Sequence, residues 1–355
     1  MMYSDIKYLE AVALLKQMIE TPSFSKEEAK TGNLIENWLQ GFGVKTNRLK
    51  NNIWAKNYHF DVNKPTILLN SHHDTVKPNK AYTRNPFESK IENGKLFGLG
   101  SNDAGGCVVS LLTLFVHFYK KENLNYNLII AITAEEEISG DDGIKSLLPL
   151  LPEIDFAIVG EPTQMHLAIA EKGLLVLDAK MDGIPGHAAH ENTENPIYKS
   201  LEDILWFQNY EFLKVSKTLG KVKMNVTQIQ AGNQHNMVPA ICEFVVDVRV
   251  NDCYTNEEVF KIIDENTKSE ITARSFKLNS SSISENHPIV RAGIEIGRET
   301  YGSPTISDQT FLKCPSLKLG PGNSTRSHSA DEFIYVKEIE EGIDIYIELL
   351  SKILI

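Results

Sequence analysis

Thr66-Ile67-Leu68-Leu69-Asn70-Ser71-His72-His73-Asp74 joins a short apolar run directly to two imidazoles and a carboxylate. A continuous apolar run of this length predicts a strand buried on both faces, as in a helix-covered sheet. Two more stretches repeat the arrangement. Asn127-Leu128-Ile129-Ile130-Ala131-Ile132-Thr133 leads into Glu135-Glu136-Glu137, and Phe156-Ala157-Ile158-Val159 leads into Gly160-Glu161-Pro162. In an open α/β sheet, ligand-binding groups collect just beyond the carboxyl ends of the strands. Polar clusters at three such ends are therefore the place to look for function.

Outward from these strands, an amphipathic helix is expected to start after Ser4 or Asp5 and to present Leu9, Val12, Ala13 and Leu15 on one face. A second is expected from Glu27 to Leu39, stopping near Gly41 and Gly43. Gly105-Gly106 opens Val108 to Phe118, which reads as a buried helix with its N-terminus beside Asp103. From about residue 174 the pattern changes. Leu174 to Met181, Val222 to Ile229 and Cys242 to Val250 read as strands, and Ile197 to Phe207 and Asn256 to Asp264 as helices. After about residue 284 the chain returns, with a helix from Ile289 to Glu299, a strand at Leu317-Lys318-Leu319 and a last helix from Lys337 to Ile353. The expected architecture is α/β: a helix-covered mixed sheet built from residues 1–173 and 284–355, with residues 174–283 as a smaller inserted α+β domain.

Composition narrows the function. The 355 residues carry 47 acidic against 36 basic side chains, a net charge of −11. That balance argues against binding a phosphate backbone, which calls for a basic face. No apolar run reaches the roughly 18 residues of a membrane-spanning helix. Met1 to Lys7 show no basic stretch followed by an apolar one, so no leader is read there. Cys107, Cys242, Cys253 and Cys314 lack Cys-x-x-Cys spacing and read as reduced, structural thiols. The expectation is a soluble cytoplasmic protein.

The chemistry lies in side chains that suit a metal pair. Histidine binds zinc through one ring nitrogen, and an acceptor on the other nitrogen fixes its tautomer. Residues two apart in extended chain share a face, so Asp74 can reach the side of His72 while His73 points away. Asp103 sits among glycines in Gly98-Leu99-Gly100-Ser101-Asn102-Asp103-Ala104-Gly105-Gly106. Taken alone, it reads as a helix cap. No strand is predicted before it, and the glycines do not form a dinucleotide fingerprint. Three glutamates after a buried strand are costly unless neutralised, and such surroundings also tune a general base. Glu161 before Pro162 repeats that placement. His328, after Gly320-Pro321-Gly322 and before Asp331-Glu332, would alone be a surface-loop histidine. Two imidazoles and three carboxylates together are what two adjacent zinc ions require.

These residues resemble, in order and along essentially the whole chain, the two-zinc amidohydrolase and metallopeptidase family of acetylornithine deacetylase, succinyl-diaminopimelate desuccinylase and glutamate carboxypeptidase. Gly160-Glu161-Pro162-Thr163 and the Gly320-Pro321-Gly322 lead into His328 are similar to the acetylornithine deacetylase branch. The resemblance implies that His72, Asp103 and Glu161 hold one Zn(2+) and that Asp103, Glu137 and His328 hold the other, with Co(2+) as a substitute. It implies Glu136 as general base and Asp74 as the group that orients His72. A register shifted by one would make Glu135 the base and Glu136 the ligand. Gly183-Ile184-Pro185-Gly186-His187 resembles the histidine loop of the family's lid domain, and His187 would polarise the scissile carbonyl from the partner subunit of a homodimer. Asn236 and Arg249 resemble lid positions that contact substrate, Arg249 through its two-pronged fit to a carboxylate.

The reaction so implied is metal-dependent hydrolysis of an N-acyl amino acid, a small-molecule substrate. N-acetylornithine or N-acetylcitrulline leads, which would place the chain in arginine biosynthesis. Succinyl-diaminopimelate, other N-acyl amino acids, and di- or tripeptides are the alternatives.

Overall fold

Ile67 and Leu69 pack into one apolar layer and Leu68 into another, and all three are fully buried. Alternate side chains of a strand face opposite sides of a sheet, so this strand is covered on both. The computed structural model describes residues 3–355; Met1 and Met2, where the stretch read for a leader begins, lie outside them.

The central part of the sheet runs Asn47–Leu49, Asn52–Lys56, Asn127–Thr133, Thr66–His72, Phe156–Val159, Ser316–Lys318 and Leu167–Glu171. Thr66–His72 is parallel to both its neighbours, and Ser316–Lys318 is parallel to Phe156–Val159. The flanking pairs are antiparallel, which makes the sheet mixed. His72 stands opposite Thr133, and Asn70 opposite Val159. The loops after the three apolar strands therefore leave the sheet side by side.

Gly106–Phe118 supplies one covering layer, with Val108, Leu111, Leu112 and Phe115 packed among Ile67, Leu69, Ile130, Tyr346 and Leu350. Each such apolar side chain contributes about 1.5–3 kcal/mol on burial. On the other face Leu68, Ile129, Ala131 and Ala157 meet Ile144 and Leu147. The second expected helix forms as Ala29–Gly41, and Gly43, at φ +75, lets the chain turn back from it.

The chain divides into two compact units. One runs to Ile169 and takes in Ile283–Tyr301 and Ser307–Ile355; the other comprises Ala170–Ser282 and Gly302–Ile306. In the second unit the antiparallel strands Lys223–Ala231, Ile241–Val250, Gly173–Asp182 and Glu270–Ala273 form one sheet in that order. Leu175, Leu177, Val246 and Val248 face Phe207, Val259 and Ile263 from the helices Pro196–Asn209 and Asn256–Asn266. Asn195 caps the first helix, and Thr255 with Glu258 forms a capping box on the second.

Three readings are corrected. The first helix runs Tyr3–Ile19 and buries Ala11, Leu14, Leu15 and Met18, while Leu9 and Ala13 face outward. A strand, Lys95–Phe97, does precede the glycine segment, pairing with Lys90–Glu92 and Phe333–Tyr335. Three residues with only Leu96 buried are too short a signal for periodicity to register. The helix expected to reach Glu299 ends at Glu295, because Gly297 adopts φ +79 and turns the chain. Among the described residues no helix is long and apolar enough to cross a membrane.

Candidate metal centre

His72 is the last residue of the Thr66–His72 strand and is buried. Its Nδ1 lies 3.0 Å from the carbonyl oxygen of Asp74 and 3.4 Å from that residue's carboxylate. Both acceptors favour a proton on Nδ1 and leave Nε2 free as a ligand. The carboxylate of Asp74 also accepts the backbone N–H of Glu136 at 3.0 Å, that of Glu137 at 3.2 Å and the hydroxyl of Ser25 at 2.7 Å. It thus orients the glutamate turn as well as the histidine. His73 faces the other way, onto Thr31 Oγ1 and the Asn51 carbonyl, and burial holds its pKa down at about 4.

Asp103 comes from the turn Ser101–Gly105 and makes no cap for the helix that follows. Its Oδ1 stands 3.3 Å from His72 Nε2, and its Oδ2 stands 3.7 Å from His328 Nε2. One carboxylate therefore presents an oxygen to each histidine. Glu161 Oε1 and Glu136 Oε2 each lie 3.9 Å from His72 Nε2, while Glu137 Oε2 lies 2.9 Å from His328 Nε2. Glu135 is turned away. Its carboxylate rests on Gly140 and accepts the Asp142 N–H at 3.4 Å.

The charges make the cluster costly without a cation. Burial, aggravated by Glu161, Asp308 and Glu137, pushes Glu136 well above the usual carboxylate range. Burial and the Asp103 carboxylate raise Glu161 to about 8. Burial works against a charge on His72, yet the Glu136, Asp103, Asp74 and Glu161 carboxylates raise it well above an ordinary imidazole. The hydrogen bond to Glu137 and the nearby Asp103 raise His328 to about 9. Divalent cations would relieve both sets of strain, replacing the excess protons with coordinate bonds.

The donor geometry fits such ions. Donors about 2.0–2.1 Å from a tetrahedral zinc sit roughly 3.3 Å from one another. The His72–Asp103 contact of 3.3 Å matches that spacing. Suitable donor atoms of His72, Asp103 and Glu137 all lie within 4.8 Å of one another, a trio drawn from both of the expected ligand sets around the shared Asp103.

In the second unit, Gly186–His187 pairs with Met237–Val238, and Ala188 N donates to the Asn236 carbonyl at 3.0 Å. His187 and Asn236 therefore share one exposed ribbon. The N–H of Ala189 donates to His187 Nδ1 at 3.1 Å, which places the ring proton of the neutral histidine on Nε2. Arg249 stands elsewhere. It is opposite Leu174, whereas Ile241, at the other end of the same strand, is opposite Asp182. Its guanidinium is closed by Asp247, with contacts of 2.8 and 2.9 Å.

Two residues near the centre escaped the sequence reading. Asp308 is buried and accepts the Thr133 hydroxyl at 2.8 Å, and Glu332 is buried with its carboxylate on the turn that carries Asp103. The sequence reading notes Asp331-Glu332 only as the pair that follows His328, and nothing local signals that Glu332 is buried.

The fold and its sequence have known counterparts. A family profile, Peptidase family M20/M25/M40, matches residues 68–352. Acetylornithine deacetylase of Proteus mirabilis is 28% identical, with 98% of this chain and 97% of that protein covered. Succinyl-diaminopimelate desuccinylase of Cereibacter sphaeroides is 25% identical, with 97% and 98% covered. Among solved structures, the M20 family metallo-carboxypeptidase Sso-CP2 from Sulfolobus solfataricus superposes with a TM-score of 0.76 at 19% identity, covering 97% of this chain and 98% of that one. A dinuclear metal binding peptidase of the M20 family from Bacillus subtilis gives 0.72 at 15% identity, covering 98% of each. With a matching profile over most of its length and this centre at the strand ends, the chain belongs to peptidase family M20/M25/M40 and is a hydrolase of the metallo-amidohydrolase type.

Proposed function

We propose that this chain hydrolyses the amide bond of an N-acyl amino acid, with N-acetylornithine or N-acetylcitrulline as the leading substrate. The observation that carries this reading is Asp103, whose two carboxylate oxygens face His72 and His328 separately while the buried Glu136 stands beside them. His72, Asp103 and Glu161 would hold one zinc and Asp103, Glu137 and His328 the other; cobalt suits the same donors. Such an ion pair supplies an acidified water and positive charge for a developing oxyanion.

The chain's own groups supply the rest. Glu136 takes the proton of the attacking water and returns it to the nitrogen of the leaving amine. Asp74 keeps Glu136 in place through its backbone N–H. His187 donates its Nε2–H to the carbonyl oxygen as charge collects there. Asn236 shares that ribbon, which supports a part for it in substrate contact beside His187. Glu135, with its carboxylate on Gly140, supports the register in which Glu136 is the base and Glu137 the ligand.

Residues 174–283 serve in this reading as a lid and dimerisation domain. Along the strand Ile241–Val250, Arg249 lies eight residues from Ile241, roughly 27 Å at about 3.4 Å per residue. An N-acyl amino acid is shorter than that, so His187 and Arg249 would serve one substrate only from different protomers. Tyr198, Leu201 and Leu205 support a homodimer: spaced three and four apart, they line an outward face of the helix Pro196–Asn209 and are 71%, 46% and 55% exposed.

A second reading, desuccinylation, has the desuccinylase relatives in its favour. The two readings differ in one carboxylate on the acyl group. The test is amine release from N-acetylornithine, N-acetylcitrulline, their N-succinyl analogues and succinyl-diaminopimelate, with metal-loaded and chelated protein. Metal-dependent turnover of an N-acetyl substrate is expected; turnover confined to the succinyl compounds would move the function to desuccinylation.

A further inference from the structure

Glu332 lies four residues after His328 and is 2% exposed. Its Oε1 accepts the backbone N–H of Asn102 at 2.8 Å and that of Asp103 at 2.9 Å, and its Oε2 accepts that of Gly100 at 3.0 Å. A single buried carboxylate thus satisfies three amides of the turn that presents Asp103. The adjacent Asp331 accepts the N–H of Thr83 at 2.9 Å, the N–H of Arg84 at 3.0 Å and the Thr83 hydroxyl. Asn79 Nδ2 donates to the carbonyl oxygen of His328 at 3.1 Å. The segment from His328 to Glu332 is therefore tied on one side to residues 79–84 and on the other to the backbone of Asp103.

We propose that Glu332 is a positioning residue that sets the spacing between Asp103 and His328 and thereby governs binding of the second metal ion. The proposal rests on the two-ion reading above. Two of the first ion's three ligands, His72 at the end of one paired strand of the central sheet and Glu161 just after another, are anchored independently of Glu332, which reaches that ion only through the shared Asp103. Glu137 stands on the short 3₁₀ turn Glu136–Ile138 and His328 on a loop, its side chain 56% exposed. The second ion thus depends on how the His328 segment is held against the Asp103 turn. Glutamine at 332 keeps one acceptor oxygen for Asn102 and Asp103 but offers an N–H₂ group to the N–H of Gly100. Two donors then face each other, and the turn shifts away from the His328 segment.

The experiment is a chelator-competition titration of the full-length, metal-free protein with Co(2+), comparing wild type, Glu332→Gln and Glu332→Asp. Wild type is expected to take two ions. Glu332→Gln should weaken the second ion by about tenfold or more, as loss of a group that orients a ligand does elsewhere, and the first, which shares only Asp103 with that turn, by clearly less. Thermal unfolding of each metal-free protein, run alongside, identifies a variant that does not fold. Should Glu332→Gln be that variant, Glu332→Asp keeps the charge with a shorter reach and is expected to show the same split. Equal weakening of both ions, or two ions bound as in wild type, overturns the proposal alone. A wild-type stoichiometry of one overturns the two-ion reading and this proposal with it.

Discussion

The carboxylate of Asp74 accepts the backbone N–H of Glu136 at 3.0 Å, so the strand end that carries His72 also holds the glutamate turn. In the proposed mechanism, removing that carboxylate loosens a ligand, His72, and the base, Glu136, together. Asp74→Ala is expected to lower metal affinity and kcat/KM by about 10–100-fold each. Asp74→Asn, which keeps one acceptor oxygen, should lose less. Metal content after dialysis and steady-state kinetics on the same preparations check this; equal losses in both variants would assign the effect to charge alone.

Glu136 and Glu135 differ in surroundings although they are adjacent. Glu136→Gln should abolish turnover by about 10²–10⁴-fold with two metals still bound, as expected when a general base is lost. Glu135→Gln should keep activity within a few-fold of wild type, because its carboxylate faces Gly140 and Asp142. The reverse ranking would restore the shifted register.

Complementation tests the proposed homodimer. His187→Ala and Glu136→Gln are each expected to be inactive alone. If His187 acts across the dimer, half of the dimers in a refolded equal mixture are mixed, and one of their two sites is intact. Activity should then recover to roughly a quarter of wild type. No recovery after subunit exchange, shown by two affinity tags, would place His187 in its own protomer's site. Leu201→Glu, within the exposed stripe Tyr198–Leu201–Leu205, should shift the protein toward monomer in light scattering and lower activity in parallel.

His287 gives a pH dependence separate from the metal centre. Its Nδ1 accepts the Ile289 N–H at 3.4 Å at the start of the helix Pro288–Glu295, and its ring packs on Phe156 with centroids 4.8 Å apart. Burial lowers its pKa below the ordinary 6.5. Below about pH 6.5 the unfolded chain therefore binds a proton that the folded chain resists, and stability falls as pH falls. Protonation also removes the cap acceptor and puts positive charge at a helix N-terminus. His287→Asn should keep the cap and flatten denaturant midpoints between pH 7 and 5. His287→Ala should cost about 1 kcal/mol at pH 7.

Much of this protein was legible in its sequence for one reason: buried parallel strands are continuous apolar runs, and functional side chains follow their carboxyl ends. Thr66–His72, Asn127–Thr133 and Phe156–Val159 could be read that way, along with the donors that follow them. Side-chain type also announced a metal, because imidazole and carboxylate are what such ions bind. Only the tertiary structure decided how those groups meet. Which oxygen of Asp103 faces which histidine, the turning away of Glu135, and the closure of Arg249 by Asp247 depend on torsions and neighbours that no local pattern encodes. Glu332 is the clearest instance. Its partners are backbone amides 229 to 232 residues away, and an amide is the same at every non-proline position, so nothing in the sequence marks which ones it will hold.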